Sequence, residues 1–426
     1  MAVDKKTALS IRERLLNGST ADERRTLLAR RLPADAPLKP RVPIGNDHTL
    51  EGLKRRQAML GEQGIRLERL SGQGPEISPS ELAGNIENLV GFARIPVGVI
   101  GPLRINGSNA RGDFYVPMAT SEGALVASYN RGAYLLSQAG GASVLCLTES
   151  VSRAPCFLFE SMSDAASFLA WVLTQVESLQ DVIRTKSSHC KFVDMRTSLI
   201  GKDLYLNFEY NTGDAAGQNM VTLVTDAVCR HLLERAPIQP LHWYVESNFS
   251  GDKKATMLSF LHARGKKVIA EVVIPGKLLK KIVHAEPEDM VRYWQISVLG
   301  GAQSGSIGVQ GHFANALAAV FIACGQDAAC VSEASVGLTR MDVTRGGDLY
   351  VSVTLPNVIV GSVGGGTHLP TARECLEMMG CYGNGGSRKL AEICAATALA
   401  GEISIIGALC AGEFSAAHAK YGRKHA

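Results

Sequence analysis

The run GDKK sets Asp252, Lys253 and Lys254 side by side in what reads as a polar loop. Neighbouring lysines on loops are mostly solvated surface. A lysine that is to act as an electrophile must instead be held by carboxylates. Asp327, inside the Ala- and Gly-rich run IACGQDAA, is the first candidate, because a carboxylate in so apolar a setting is costly unless paired. Glu122, between Ser121 and Gly123, is a second; its plainer role is to complement the dipole of a helix starting near Ser121. His418 lies in the tail GEFSAAHAKYGRKHA, where a lone histidine is more often inert than catalytic.

Phosphate recognition has weaker signals. No GxGxxG follows a strand, so a Rossmann cofactor site has no support. The nearest substitute is DAAGQNM, Asp214 to Met220, between a strand and a helix. Asp214 is placed to cap that helix, and Ala215, Ala216 and Gly217 would let a phosphate approach its first N–H groups. Capped helices with small first-turn residues are also common without any ligand. The turn GSVGGGT, Gly361 to Thr367, serves equally well for close approach to a ligand or for a tight backbone crossing. The ten cysteines, scattered from Cys146 to Cys410 without a CxxC pair, suggest reduced thiols and no metal site.

These residues need a scaffold, and 426 residues are enough for two or three domains. Nearly half the chain is apolar and the net charge of +4 is small, which argues against nucleic acid. No uncharged apolar stretch reaches the roughly 18 to 20 residues that span a bilayer, and no secretory signal opens the chain. Residues 1–90 read as an N-terminal helical segment, with helices over Ser10 to Leu16 and Thr20 to Arg31, broken by the Pro-rich stretch Pro33 to Pro43. Residues 155–244 alternate helix, strand and helix: amphipathic over Ala165 to Ile183, strand over Asp203 to Tyr210, helical over Gly217 to Leu233. They read as a small α+β domain inserted into a larger one, residues 91–154 and 255–426, with 245–254 as the connecting loop. Strands are expected over Lys267 to Ile274 and Asp348 to Leu355. The small-residue segment Gly300 to Ala329 is expected to supply a helix buried mid-domain.

In this order, ENLVGFARIPVGVIGPL, PMATSEGALVAS, DAAGQNM, GDKK, VIPGK, HFAN, IACGQDAA, DLYVSVTLP and GSVGGGT resemble the HMG-CoA reductase family over nearly all of residues 85 to 420. The GGGT form looks closer to the biosynthetic, class I-like branch. The resemblance implies an α+β fold: a large central-helix domain for the substrate and a small inserted non-Rossmann domain for the dinucleotide. It implies an NAD(P)H-dependent oxidoreductase that converts HMG-CoA to mevalonate and free coenzyme A, with NADPH as cofactor and NADH as the alternative. Catalytic roles fall on Glu122, Lys253, Asp327 and His418. Substrate positions fall on Arg153, Asp252, Lys254, Lys277 and Asn315, and coenzyme A positions on Ser128, Asn130 and Arg131. The dinucleotide site falls on Ser187, Asp214, Gly217, Gln218 and Asn219, with Gly364, Gly365, Gly366 and Thr367 from the larger domain. Active sites at dimer interfaces are implied, in a cytoplasmic homodimer or tetramer without membrane or nucleic acid.

The implied chemistry gives each group a task. Lys253 meets the negative charge that builds on the carbonyl oxygen, and Asp327 keeps it charged and couples it to Glu122. Glu122 releases a proton at the aldehyde stage, and His418 protonates the departing thiolate. Arg153, Lys254 and Lys277 answer the substrate carboxylate. The chain departs from the family in three places. Ser187–Ser188 stands where many members have Ser-Arg, leaving Lys186 and Lys191 as the nearby cations for a 2′-phosphate. Glu246 stands where several relatives have serine. The tail ends YGRKHA, with no serine after Arg423. A paralogue acting on a related carboxylated thioester, a catalytically silent binding homologue and a thiolase-like acyltransferase are the competing readings.

Overall fold

The computed structural model describes residues 18–29, 36–43, 47–75, 77–262 and 264–414, together with positions 9, 12, 13, 16, 32 and 33. Among them ten strands, β1 (Val97–Gly107), β2 (Arg111–Ala119), β3 (Ala142–Arg153), β4 (Cys156–Leu158), β5 (Lys191–Ile200), β6 (Asp203–Asn211), β7 (His242–Tyr244), β8 (Gly265–Ile274), β9 (Leu338–Val343) and β10 (Leu349–Val358), form one hydrogen-bonded system. β3 is the member common to its two parts. Ser143 to Ser150 pair antiparallel with β8 and Ala142 to Val144 parallel with β1, whereas Val151 to Arg153 pair with β6. β8, whose KKVIAEVVI alternates buried and half-buried side chains, also pairs with β10, and β9 closes that edge. On the far side β6 pairs with β5 and β4, and β4 with β7. Helices with a mixed sheet make an α+β fold.

The buried helix is not where the small-residue pattern placed it. Gly300 to Ala329 breaks at Gly305 and Gly308, both at positive φ, into the end of a largely exposed helix, Pro287–Ser304, and a short apolar one, Phe313–Ala323. The central helix is Gly386–Cys410, buried along nearly its whole length. Gly132 on Leu125–Gln138 faces the Ala400 carbonyl, Gly401 faces the Tyr129 ring, and Gly407 faces Val283, each too close for a side chain. At mean hydropathy 1.9 it is long and apolar enough to cross a bilayer, although charged residues interrupt its apolar runs. Within the fold, 83% of its most apolar stretch is buried.

Two acids sit on this helix, each almost fully buried. Glu392 accepts from the backbone N–H groups of Asn109 (2.8 Å) and Ala110 (2.7 Å) and from the Ser108 hydroxyl. Glu402 accepts from the N–H groups of Gly311 and His312, both at 2.8 Å, and from Thr339 Oγ1 at 2.7 Å. Each acid thus pins a loop to the core, since a buried carboxylate persists only with such donors. Two further expectations are corrected. The stretch Ala165 to Ile183 is two helices, Met162–Thr174 and Val176–Lys186, parted at Gln175. The helix expected from Ser121 starts at Leu125, so Glu122 lies in the preceding loop. In the N-terminal segment a helix spans Ala21–Ala29, most of Ser10 to Leu16 lies outside the described residues, and Pro37–Val42 runs along β1 and β2, with Val42 donating to the Gly101 carbonyl.

Candidate active site

The loop between β7 and β8 turns on three residues at positive φ: Asn248, Gly251 and Lys253. A lysine at φ 55° is strained and must be held from outside. One short segment does so. The Lys253 N–H donates to Glu333 Oε1 at 3.2 Å, and Lys253 Nζ lies 2.8 Å from Asp327 Oδ2. Asp327 is itself oriented, because its Oδ1 caps the turn Ala328–Cys330 by accepting from Ala329 N–H at 3.0 Å. The hydrogen bond it donates to Asp327 moves the Lys253 ammonium above its usual range, against a smaller effect of burial. Burial alone would raise Asp327, but its bonds from Lys253 and Ala329 outweigh that and hold it low. Both side chains stay about two-fifths exposed, so the ammonium is charged and within reach of a ligand.

Beneath the loop lies a buried ion network. Arg264 Nε contacts Glu333 Oε2 at 2.8 Å, its NH2 contacts Asp252, and its NH1 donates to the Ser152 carbonyl at 3.1 Å. Arg153, the last residue of β3, bridges Asp252 Oδ2 and Glu246 Oε2, each at 3.1 Å. Burial raises Glu333 despite Arg264 beside it; Asp252, also penalised by burial, is pulled low by Arg264 and Arg153. Sequence reasoning missed Arg264 and Glu333. Glu333 carried a signal, since CVSEAS is another acid in a small-residue run. Arg264 in ARGKK carried none that separates it from surface charge.

The DAAGQNM segment meets this centre. The helix Gln218–Arg235 follows Gly217, at φ 79°, without a side-chain cap. Asp214 does not cap it, contrary to expectation. Its carboxylate accepts from Gly385 N–H (2.7 Å) and Ser387 N–H (3.2 Å) at the start of the central helix. Burial would raise Asp214, but those bonds and Lys266 lower it. The first N–H groups of Gln218–Arg235 therefore stay open. Gln218 Nε2 reaches Asp327 Oδ2 (3.4 Å) and Cys330 Sγ (2.9 Å), and Asn219 is exposed. GSVGGGT makes a tight backbone crossing at two of its glycines and leaves two others open. A side chain on Gly361 would meet Ala216 N at 2.6 Å, and one on Gly366 would meet the Gly325 carbonyl at 2.5 Å. Gly364 and Gly365, at positive φ, face open space, and Val363 bridges to Ala215. Thr367 is buried, its hydroxyl donating to the Gly364 carbonyl.

Other expected residues lie elsewhere. Glu122 contacts Asn315 Nδ2 at 3.5 Å, near the start of Phe313–Ala323, whereas Asp327 follows that helix's far end. The helical stretch from Asn315 to Ala323 lies between these two points, a rise on the order of 13 Å. Among the described residues no hydrogen bond or ion pair joins Glu122 to Lys253 or Asp327. Ser128 and Arg131 bond Ser404 on the central helix, and Arg131 also approaches Glu413 at 3.5 Å. Asn130 is turned inward, accepting from the Gly101 N–H, a core task in place of a ligand-facing one. Lys254 Nζ donates to the Asp252 carbonyl; Lys277 is exposed in the first turn of Gly276–Val283. The Ser187 hydroxyl closes a turn by accepting from His189 and Cys190 N–H. His418 lies outside the described residues. Among those residues no cluster of three or more His, Cys, Asp or Glu is suited to a metal, and the ten cysteines are free.

The sequence profile described as hydroxymethylglutaryl-coenzyme A reductase matches residues 52–423. The 3-hydroxy-3-methylglutaryl-coenzyme A reductase of Pyrococcus horikoshii is 40% identical over 389 residues, covering 89% of this chain and 93% of that one. That of Aeropyrum pernix is 43% identical over 373 residues, covering 84% and 88%. Among solved structures, the class II 3-hydroxy-3-methylglutaryl-CoA reductase from Streptococcus pneumoniae, bound to NADPH in open conformations, superposes with a TM-score of 0.68. It is 18% identical and covers 84% of this chain and 96% of that chain, a likeness of fold.

Proposed function

The chain belongs to the hydroxymethylglutaryl-coenzyme A reductase family, and on that premise we propose that it reduces HMG-CoA to mevalonate and free coenzyme A with two molecules of NADPH. The observation that carries this reading is the reachable Lys253–Asp327 pair beside Gln218. The site suits a dinucleotide: the uncapped start of Gln218–Arg235 offers N–H groups for phosphate, and Gly364 and Gly365 leave room next to it. When bound, each nicotinamide would supply one hydride, and two dinucleotides would be used in succession.

The chain's own groups do the rest. Lys253 Nζ donates to the thioester oxygen as it turns anionic, and Asp327 keeps that ammonium charged throughout. Glu333 and the arginines beneath hold the loop in the strained shape that aims the lysine. Arg153, Lys254 and Lys277 are the cations for the substrate carboxylate, and Ser128 and Arg131 lie toward coenzyme A. His418 protonates the departing thiolate and Glu122 serves at the aldehyde stage. Since Glu122 and Asp327 stand at opposite ends of one helix, their coupling calls for a second copy of the chain. A homodimer fits the apolar side chains exposed before β1, Ile86, Val90, Phe92 and Ile95. Free, mostly buried cysteines fit a reducing cytoplasm. In this reading residues 155–244 form the dinucleotide domain, and 91–154 with 255–426 the substrate domain.

The direct test is HMG-CoA-dependent oxidation of NADPH, run beside NADH, with two cofactors oxidised per coenzyme A released. No turnover of HMG-CoA overturns the reading. Mixing the inactive variants Glu122→Ala and Lys253→Ala under subunit exchange tests the shared site. Activity returns if Glu122 serves the partner's lysine, and stays absent if each chain is self-sufficient.

A further inference from the structure

Arg153 is a poor free cation as the chain is built. Its side chain is 7% exposed and its NH1 is already divided between Asp252 and Glu246. Asp252 is committed on its other oxygen to Arg264, so it is a fixed part of the network. Glu246 has no second cation among the described residues. Its carboxylate is held by Arg153 and by two neutral donors, Ser247 N–H at 3.1 Å and Ala154 N–H at 3.4 Å.

Charge around the loop balances. Arg153, Lys253, Lys254 and Arg264 stand against Glu246, Asp252, Asp327 and Glu333, four cations and four acids. Without Glu246 the set carries one net positive charge and Arg153 has a donor to offer. With it, an arriving carboxylate must displace a built-in one or lie beside it. Arg153 retains donors that a second acid would take, since its Nε is buried without a hydrogen-bond partner and its NH2 reaches only the Gln218 carbonyl, at 3.5 Å.

We infer that Glu246 is a specificity-determining residue, an internal carboxylate that occupies Arg153 and weakens the hold of this site on the distal carboxylate of a thioester substrate. This rests on the reading of Arg153 as the receiver of that group. Lost competition for one charge-assisted bond corresponds to roughly a tenfold change in affinity. Glu246→Gln removes the charge and keeps an oxygen for Ser247 N–H, the shorter of the two backbone bonds, which fall on different carboxylate oxygens. The probes are HMG-CoA, free 3-hydroxy-3-methylglutarate as a competitive inhibitor, and coenzyme A as the ligand without a carboxylate.

In the intact enzyme, Glu246→Gln lowers KM for HMG-CoA and Ki for free hydroxymethylglutarate by about tenfold. The change falls mainly on KM, as for an interaction made alike in ground and transition states, and Ki for coenzyme A does not follow. Glu246→Asp, which withdraws the carboxylate by one methylene, moves the same constants in the same direction by less. It also serves if the glutamine variant does not fold. Unchanged constants overturn the inference, as does an equal shift for coenzyme A, which would mark a merely structural effect. Wild-type enzyme that turns over HMG-CoA while Glu246→Gln behaves identically sinks this inference alone. Wild-type enzyme inert toward HMG-CoA sinks the functional reading instead.

Discussion

The molecule buries acids in two places and treats them differently. On the central helix, Glu392 and Glu402 are met by backbone N–H groups and hydroxyls from loops that cannot move away. Beneath the loop that carries Lys253, Asp252 and Glu333 are met by arginines, and the series continues through Lys253 to the surface. Neutral donors satisfy a carboxylate and stop there. A chain of alternating charges leaves its last member available, and here that member is an ammonium. The same chemical group therefore anchors in one region and aims in the other.

The contrast can be broken from either side. The largest effect is expected from Lys253→Ala, which removes the reaching charge. It should cost about 3 to 4 kcal/mol in kcat with little change in melting temperature, and an unimpaired rate would refute its role. Glu402→Leu comes next, with the opposite signature. It strands the donors of Gly311, His312 and Thr339, for a loss of about 3 kcal/mol of stability by denaturant unfolding, while surviving folded enzyme keeps its turnover. Glu333→Gln tests the boundary between the two. It keeps an acceptor for Lys253 N–H but loses the Arg264 charge, so kcat should fall by roughly tenfold with KM little altered. A parallel fall in stability without a kcat effect would class Glu333 with the helix anchors.

The smallest expected effect is a pH dependence at Asp214. Its carboxylate lies below its ordinary value of 3.8 in the fold, so its contribution is complete above that value and lost as pH falls through the folded pKa. Asp214→Asn should flatten the melting-temperature profile below about pH 4. Profiles that stay parallel there would remove Asp214 from the acid response.

What was legible in the sequence was local. Strands over Asp203 to Tyr210 and Lys267 to Ile274 declare themselves by alternation, and Asp327 stands out as a charge where charge is costly. What was hidden depended on distant chain. Asp214 looked like the cap of the helix four residues on, yet its donors lie 171 and 173 positions away. The central helix was disguised by Arg388, Lys389, Glu392 and Glu402, which interrupt its apolar runs, whereas Gly300 to Ala329 has the small residues but also the glycines that break it. Glu122 reads as a companion of Asp327 because motif order carries no distance.

β3 begins in one half of the strand system and ends in the other, and Arg153 is its final residue. The halves are thus threaded on a common axle instead of joined by a pliant hinge. Swinging one against the other would shear the ladder that Val151 to Arg153 make with β6.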